Sequence, residues 1–233
     1  LLRVVLPLEG FEHGSKLAQL KEPLDPNNTS IALLVTSPLE ELLLLFETGR
    51  TTTLAVASIP AGDAGSLEWK NAIQVETRGG EELCGILPVA SLPLFDQCVQ
   101  ISRRGFAKRI GRNYLQGYIS RDYIGAGTRQ KLDRPFGLFL ANDTDLGVIA
   151  SREGSLLTFS IPDLPYNAEE TIRLSVTDYV INAFTPQDST HIVLLTQDGR
   201  VVPREISWLA PSESLKAKGQ QLIPSGRLAS GTR

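Results

Sequence analysis

The segment Cys98–Leu115, CVQISRRGFAKRIGRNYL, carries the pattern on which the fold depends. An apolar run is followed by the polar pair Arg103-Arg104, then by Gly105, and then by a second run of β-favouring residues. The polar pair supplies a turn, and glycine adopts the positive φ that such a turn requires without strain. The segment therefore predicts a tight β-hairpin with Gly105 at its tip.

Three further segments repeat this pattern around Gly49, Gly154 and Gly199. Successive tip glycines are separated by 56, 49 and 45 residues. Because a single hairpin cannot bury its apolar face, neighbouring units must stack on one another. We therefore predict an all-β, propeller-like domain of about four to six hairpin-based blades. The repeated segments are Leu42–Pro60 (LLLLFETGRTTTLAVASIP), Leu146–Pro165 (LGVIASREGSLLTFSIPDLP) and Ile192–Leu209 (IVLLTQDGRVVPREISWL).

The rest of the chain is expected to add short strands and almost no helix. No segment shows a helical period over three turns, and Leu17–Leu24 and Ser212–Lys218 favour a single helical turn at most. Residues 1–210 are expected to form one domain, and residues 211–233 a closing strand around Gln221–Ile223 followed by a flexible basic tail. The additional strand candidates are Leu1–Leu8, Leu83–Ala90, Phe136–Ala141 and Ile172–Phe184.

The composition argues against a catalytic or metal-binding site. The 233 residues include two histidines, His13 and His191, and two cysteines, Cys84 and Cys98. These are too few for a zinc site of the usual ligands, and no nucleophile–base arrangement or phosphate-binding loop accompanies them. The cysteines are expected to be buried thiols, with a disulfide between them as the alternative. No catalytic residue, metal or cofactor is predicted in this domain.

Positive charge is concentrated in one stretch, Cys98–Arg134. It holds nine Lys or Arg and two Asp, a local charge of +7 in a chain whose net charge is −3. A basic island in an acidic body predicts contact with a polyanion on one face. The alternative is a solvated hairpin whose cations form ordinary surface ion pairs.

Two hairpins also carry a specific resemblance. Ile101–Arg109 (ISRRGFAKR) and Leu195–Arg204 (LTQDGRVVPR) follow the order apolar strand, T-x-x-G, then a basic run, and the third unit fits through Val148–Gly154 and its end at Ile161–Pro165. On these residues, over about positions 30–210, the chain resembles the C-terminal domain of the A subunit of bacterial DNA gyrase or topoisomerase IV. Because the sequence begins at Leu1 and not at Met, we also expect a fragment of a longer polypeptide.

The resemblance implies a β-pinwheel, a propeller-shaped ring whose blades exchange strands, over residues 1–210. It implies a non-catalytic domain that binds and bends duplex DNA without sequence preference and guides the transported duplex. The parent would be an ATP-dependent type II DNA topoisomerase, an isomerase, using ATP and Mg on other domains. The implied partners are double-stranded DNA, the remainder of the A subunit and the B subunit, with no membrane, in a cytoplasmic and nucleoid-associated setting.

The family carries a basic, glycine-rich box in a loop between two hairpins. The loop that matches it in position is Gln116–Arg134, which contains Gly125–Lys131 (GAGTRQK). This keeps the glycine-rich and basic character but departs from the family consensus. The departure puts strong chiral wrapping and gyrase-type supercoiling in doubt.

Candidate DNA contacts are the cations of the second hairpin and the cations and glycines of the loop after it. Because side chains alternate along a strand, Lys108 and Arg109 point to opposite faces and cannot both reach one duplex. The alternative function is a protein-interaction β-propeller whose basic patch meets an acidic partner. The DNA-binding candidates are Arg103, Arg104, Lys108, Arg109, Arg112, Gly125, Gly127, Arg129 and Lys131.

Overall fold

The computed structural model describes residues 3–4, 36–62, 75–127, 133–186, 191–196 and 201–223. Within them, 3₁₀ turns occupy Val56–Ser58, Val89–Leu94, Ile161–Asp163 and Ile206–Trp208, and an α-helix, α1, spans Arg112–Ile119. The strands in chain order are β1 (Arg3–Val4), β2 (Glu41–Phe46), β3 (Thr51–Ala55), β4 (Ala61–Gly62), β5 (Leu83–Pro88), β6 (Gln97–Ser102), β7 (Phe106–Gly111), β8 (Pro135–Ala141), β9 (Leu146–Ser151), β10 (Ser155–Ser160), β11 (Glu169–Glu170), β12 (Val180–Phe184), β13 (His191–Leu195), β14 (Val201–Glu205) and β15 (Gln220–Gln221).

The four predicted hairpins are present as the antiparallel pairs β2–β3, β6–β7, β9–β10 and β13–β14. Gly49, Gly105 and Gly154 occupy the first three tips with φ of +90°, +82° and +91°, the left-handed region that glycine enters without strain. Gly199 lies outside the described residues. The prediction of an all-β fold built from glycine-tipped hairpins is confirmed.

Each of the first three hairpins gains a third strand from the segment that follows it. β5 pairs with β2, β8 pairs with β6, and β12 pairs with β9, always antiparallel and on the open edge of the hairpin's first strand. β8 then leads through residues 142–145 directly into β9, the first strand of the next hairpin. The third strand of one blade is thus the link to the next blade.

A later segment covers the other edge of each of these hairpins. In each case it pairs with the residue that directly follows the tip glycine. We call these three later segments the latch segments. The paired positions are Arg50 with Tyr123, Phe106 with Glu170, and Ser155 with Gln221.

The next residue of each latch segment donates its backbone N–H to the carbonyl oxygen of the tip glycine. These bonds are 2.7 Å long from Ile124 to Gly49 and 2.8 Å long from Thr171 to Gly105. The third, from Leu222 to Gly154, measures 3.1 Å. Each latch segment lies later in the chain than the hairpin it closes and outside that hairpin's own strands. The blades are therefore joined by strand exchange.

Apolar cores fill the spaces between consecutive blades. In the first blade, Leu42, Leu44 and Phe46 face one core, while Leu43 and Leu45 face the core shared with the second blade. A strand buried on both faces reads as a continuous apolar run, which explains the Leu-rich sequence of β2. Two further cores join the second blade to the third and the third to the fourth.

The helix α1 corrects the sequence analysis, which predicted a loop from Gln116 and no helix of this length. Leu115 is buried, and Tyr118 and Ile119 pack beside it against the core between the first two blades. Residues spaced by three and four positions lie on one helical face, so two turns suffice to bury this stripe. The pattern is too short to show a period over three turns.

Other expectations about elements are refined. The segment Ser212–Lys218 forms turns, not a helix, and Leu17–Leu24 lies outside the described residues. Of the candidate Ile172–Phe184, only β12 is a strand. β15 pairs with β10, and residues 224–233 lie outside the described residues.

Candidate nucleic-acid interface

The second hairpin presents Arg103 at its tip with an exposed side chain. The guanidinium carbon of Arg103 lies 4.3 Å from the centre of the Tyr179 ring and 6.0 Å from that of Phe136. A guanidinium group over an aromatic face is held in place while its N–H edge stays available to an acceptor. Arg103 is therefore fixed in position and open to solvent.

The neighbouring Arg104 is turned into the protein. Its guanidinium group donates to the carbonyl oxygens of Ser175, at 3.0 Å, and of Asp178. Arginine satisfies several carbonyl groups at once because its donors form a fixed planar fork. Arg104 thus holds the loop that precedes β12, and its donors are engaged within the chain.

Lys108 is buried, with 7% of its surface exposed. Its Nζ donates to the carbonyl oxygen of Gly125 at 2.8 Å and lies 5.6 Å from the centre of the Tyr118 ring. Burial lowers the pKa of Lys108, because the charged ammonium group loses its hydration. The side chain joins the second blade to the latch segment of the first.

Arg109 lies on the opposite face of β7 from Lys108, as strand alternation predicts. Its guanidinium carbon is 4.4 Å from the centre of the Tyr166 ring, and its Nη1 is 4.0 Å from Oδ1 of Asp143. Its side chain retains 19% exposure. Arg109 therefore reaches a different surface from Lys108 and is partly neutralised by Asp143.

Arg112 is the first residue of α1 and Arg121 lies two residues beyond its end, and both are exposed. The Nη1 of Arg112 donates to the carbonyl oxygen of Pro93 at 2.9 Å. Within the described part of the chain, no carboxylate lies within ion-pair distance of Arg103, Arg112 or Arg121. Arg129 and Lys131, also predicted as contacts, lie outside the described residues.

The two glycines of the loop have close neighbours in the protein itself. Gly127 has a φ of +69°, and a Cβ at Gly125 would lie 2.6 Å from Oη of Tyr123. The absence of side chains therefore lets the chain turn against Tyr123 and place the carbonyl group of Gly125 on Lys108. A close approach of their backbone to phosphates stays a prediction.

Three acidic residues that the sequence analysis did not single out cap the hairpin turns. Oδ1 of Asp133 accepts the N–H of Arg104 at 3.1 Å, and Oδ1 of Asp178 accepts the N–H of Glu153 at 3.0 Å. Glu81 stands at the corresponding position beside the first tip, where it accepts the hydroxyl group of Thr48 and not a backbone N–H of the turn. Each precedes a β strand by two positions, in Glu81-Glu82-Leu83, Asp133-Arg134-Pro135 and Asp178-Tyr179-Val180, and this spacing is the sequence signal that could have found them.

Glu81 also neutralises the cation of the first tip. Its carboxylate forms an ion pair with Arg50 and accepts a hydrogen bond from Thr48 Oγ1 at 2.5 Å. The hydrogen bonds from Arg50 lower the pKa of Glu81 to about 2, although burial alone would raise it. Charge at the first tip is thus balanced internally, unlike the charge of Arg103 at the second.

Other chemistry is sparse in the described ranges. They hold no cluster of three or more His, Cys, Asp or Glu side chains that could bind a metal ion. No helix among them is long and apolar enough to cross a membrane. Cys84 and Cys98 are free thiols, and burial raises the pKa of Cys98 to about 12.

Hairpin blades that exchange strands with their neighbours define the class of fold, a β-pinwheel. Three solved structures of this class are similar to the chain. They are a C-terminal domain of DNA topoisomerase IV (16% identity, TM-score 0.60, covering 84% of this chain), a DNA gyrase A C-terminal domain (12%, 0.61, 83%) and the E. coli ParC C-terminal domain (17%, 0.53, 82%).

The similarity is one of fold, since identity is low in all three pairs. The chain spans 64% and 65% of the length of the first two structures and 77% of the third. No protein-family model matches the sequence, and the comparison with curated proteins found no match. The resemblance stated from the hairpin motifs is confirmed at the level of the fold.

Proposed function

We propose that this chain is a non-catalytic, DNA-binding and DNA-bending C-terminal domain of a type IIA topoisomerase A subunit, of the gyrase or topoisomerase IV kind. The observation that carries the proposal is the likeness to three solved C-terminal domains of these enzymes over 82–84% of the chain. The domain would guide the duplex that the parent enzyme transports. The parent would use ATP and Mg on other domains.

The charge distribution supports contact with a sugar–phosphate backbone. Arg103 lies at the tip of the second hairpin, Arg112 begins α1, and Arg121 lies two residues beyond the end of α1; all three are exposed. Phosphate contacts need cations in position but no reading of bases, so binding without sequence preference is expected. These three arginines are therefore proposed as the leading contacts to DNA. Arg104 and Lys108 are not, because their donors are engaged within the protein.

The same charge distribution predicts that DNA is attracted strongly to the surface of the second blade and weakly to that of the first. Arg50 of the first tip is paired with Glu81, and Arg134 is paired with Glu47 at 2.6 Å. Proposed partners are double-stranded DNA, the remainder of the A subunit and the B subunit. A cytoplasmic, nucleoid-associated location belongs to the same proposal.

The experiment is a titration of the chain with a random-sequence duplex at two salt concentrations. The proposal expects binding whose logarithm falls with the logarithm of salt concentration, with a slope that counts the neutralised phosphates. Charge reversal of Arg103, Arg112 and Arg121 together should reduce this slope by about three. Arg78→Glu reverses one exposed arginine away from the second hairpin and is the control for the effect of a single reversed charge. Absence of binding at low salt would overturn the proposal.

One observation favours the alternative, a protein-interaction propeller with an acidic partner. Leu94 and Tyr114 are 74% and 72% exposed; Leu94 follows Pro93, whose carbonyl oxygen accepts a hydrogen bond from Arg112, and Tyr114 lies two residues after Arg112 in α1. A mixed apolar and cationic surface suits a protein partner as well as a nucleic acid. Leu94→Ser together with Tyr114→Ser should leave duplex affinity unchanged under the main proposal.

A further inference from the structure

Two arginines from neighbouring blades converge on one aromatic ring. Arg103 and Arg152 each stand two positions before a tip glycine, in the second and third hairpins. Their guanidinium carbons lie 4.3 Å and 5.4 Å from the centre of the Tyr179 ring, so they can be no further apart than the sum of these distances. We call Arg103, Arg152 and Tyr179 the seam site.

The ring is held by backbone contacts from both hairpin tips. The N–H of Arg152 donates to the carbonyl oxygen of Tyr179 at 2.9 Å, and the N–H of Val180 donates to that of Arg103 at 3.0 Å. Asp178 accepts the N–H of Tyr179 at 2.9 Å, and Arg104 holds the carbonyl groups just before it. The seam site is thus built before any ligand arrives, which lowers the entropy lost on binding.

The two cations lack a counter-charge in the described part of the chain. No carboxylate there forms an ion pair with Arg103 or Arg152, and the buried Nε of Arg152 has no hydrogen-bond acceptor among the described residues. The nearby carboxylates are engaged: Glu153 accepts from Thr177 Oγ1 at 2.8 Å, and Asp178 accepts backbone N–H groups. Two cations beside one ring repel one another, and an anion bound between or beside them would relieve that repulsion.

The corresponding position between the first and second blades lacks this character. There Glu47 stands two residues before the tip glycine of the first hairpin, as Arg103 does in the second. Arg134 directly precedes β8, as Tyr179 directly precedes β12. Glu47 and Arg134 form an ion pair of 2.6 Å, which neutralises that seam internally. Arginines without an ion-pair partner are therefore found between the second and third blades and not at the corresponding position between the first and second.

We infer that the seam site binds a phosphodiester of the duplex where it crosses from the second to the third blade. The inference rests on the proposed function and adds two residues, Arg152 and Tyr179, to the proposed DNA contacts. Arg152 comes from the third hairpin, which has few cations. On this inference the two arginines contact one phosphate or two successive ones, which follow one another every ~3.4 Å of axis along a strand. The duplex is then expected to cross this seam and to bypass the seam occupied by Glu47.

The test is a double-mutant cycle with Arg103→Gln, Arg152→Gln and both, titrated with a random-sequence duplex. Each single variant should lose about fivefold in affinity, as for one partly exposed charged contact, and about one unit of salt slope. The double variant should lose less than the product of the single losses, because both side chains serve one position. Tyr179→Leu should weaken binding, and Tyr179→Phe, which keeps the ring, should not.

Arg78→Gln removes the same charge elsewhere and is the control, and thermal unfolding of each variant shows that the fold is kept. Wild-type binding with no larger loss in Arg152→Gln than in Arg78→Gln would overturn the seam site and leave the proposed function standing. Absence of wild-type binding at low salt would overturn the proposed function itself. Inorganic phosphate is the probe for the other source of this chemistry: binding at Arg152 by free phosphate but not by duplex would also overturn the inference.

Discussion

Lys108 donates a hydrogen bond from its buried ammonium group to the carbonyl oxygen of Gly125 at 2.8 Å, and so ties the second blade to the latch of the first. Gly125 lies two residues after Tyr123, the latch residue that pairs with Arg50. The sequence placed Lys108 and Gly125 among the candidate DNA contacts. In the structure they contact each other, and their position explains how α1 and its following turn are fixed against the first hairpin.

Replacement of Lys108 by Met should therefore destabilise the domain and leave its surface unchanged. Loss of one partner of a buried hydrogen bond costs about 1–3 kcal/mol, and the carbonyl group of Gly125 would remain without its donor. Urea unfolding of wild type and variant measures the difference. Duplex affinity, measured where both are folded, should be equal; a variant of normal stability with weakened DNA binding would show that Lys108 reaches outward instead.

The lowered pKa of Lys108 predicts a pH effect on stability. The folded protein releases this proton at lower pH than the unfolded chain, whose lysines keep the ordinary pKa of 10.5. Between the lowered value and 10.5 the unfolded state binds more protons, so stability from this residue rises with pH. The free energy of unfolding of wild type minus that of Lys108→Met should increase from pH 7 to pH 10, and a constant difference would contradict the assignment.

Glu81→Gln should weaken the first blade and remove part of its acid sensitivity. The buried carboxylate accepts hydrogen bonds from Arg50, Thr48 and the backbone of Arg78, and hydrogen bonds to a charged group contribute about 1.5–3 kcal/mol. With a folded pKa of about 2 against an ordinary 4.5, the contribution is full above pH 4.5 and is lost as the pH falls toward 2. The difference in the free energy of unfolding between wild type and variant, measured from pH 7 to pH 2.5, should shrink as the pH falls. A difference independent of pH would argue against the ionised pair.

Gly105→Ala should be more damaging than Gly79→Ala, although both glycines have positive φ. A Cβ at Gly105 would lie 2.6 Å from Cγ2 and 2.9 Å from the carbonyl oxygen of Ile172, whereas nothing lies within 4 Å at Gly79. The backbone strain of about 1 kcal/mol is common to both, and the clash with the latch segment adds to it only at Gly105. Thermal unfolding measures the loss of stability in each variant. Equal losses would mean that the latch segment does not close on the tip of the hairpin.

Local chemistry made the hairpins predictable. A polar pair before glycine sets the turn at Gly105, and alternating or continuous apolar runs set the strands on either side, all within about 15 residues. The acidic caps at Asp133 and Asp178 were within reach as well, through their position two residues before a strand. The latch at Tyr123 was not, because a pairing of one or two residues leaves no periodic pattern.

What the sequence by itself determined is the repeating hairpin, its glycine tip and the concentration of positive charge after Cys98. What only the tertiary structure decided is where each cation points: Lys108 inward to Gly125, Arg104 onto the loop before β12, and Arg103 outward over Tyr179. The physical reason is that an arginine or lysine side chain is long enough to take whichever acceptor or ring lies nearby. Those partners arrive from segments that are remote in sequence and become neighbours only when the blades exchange strands.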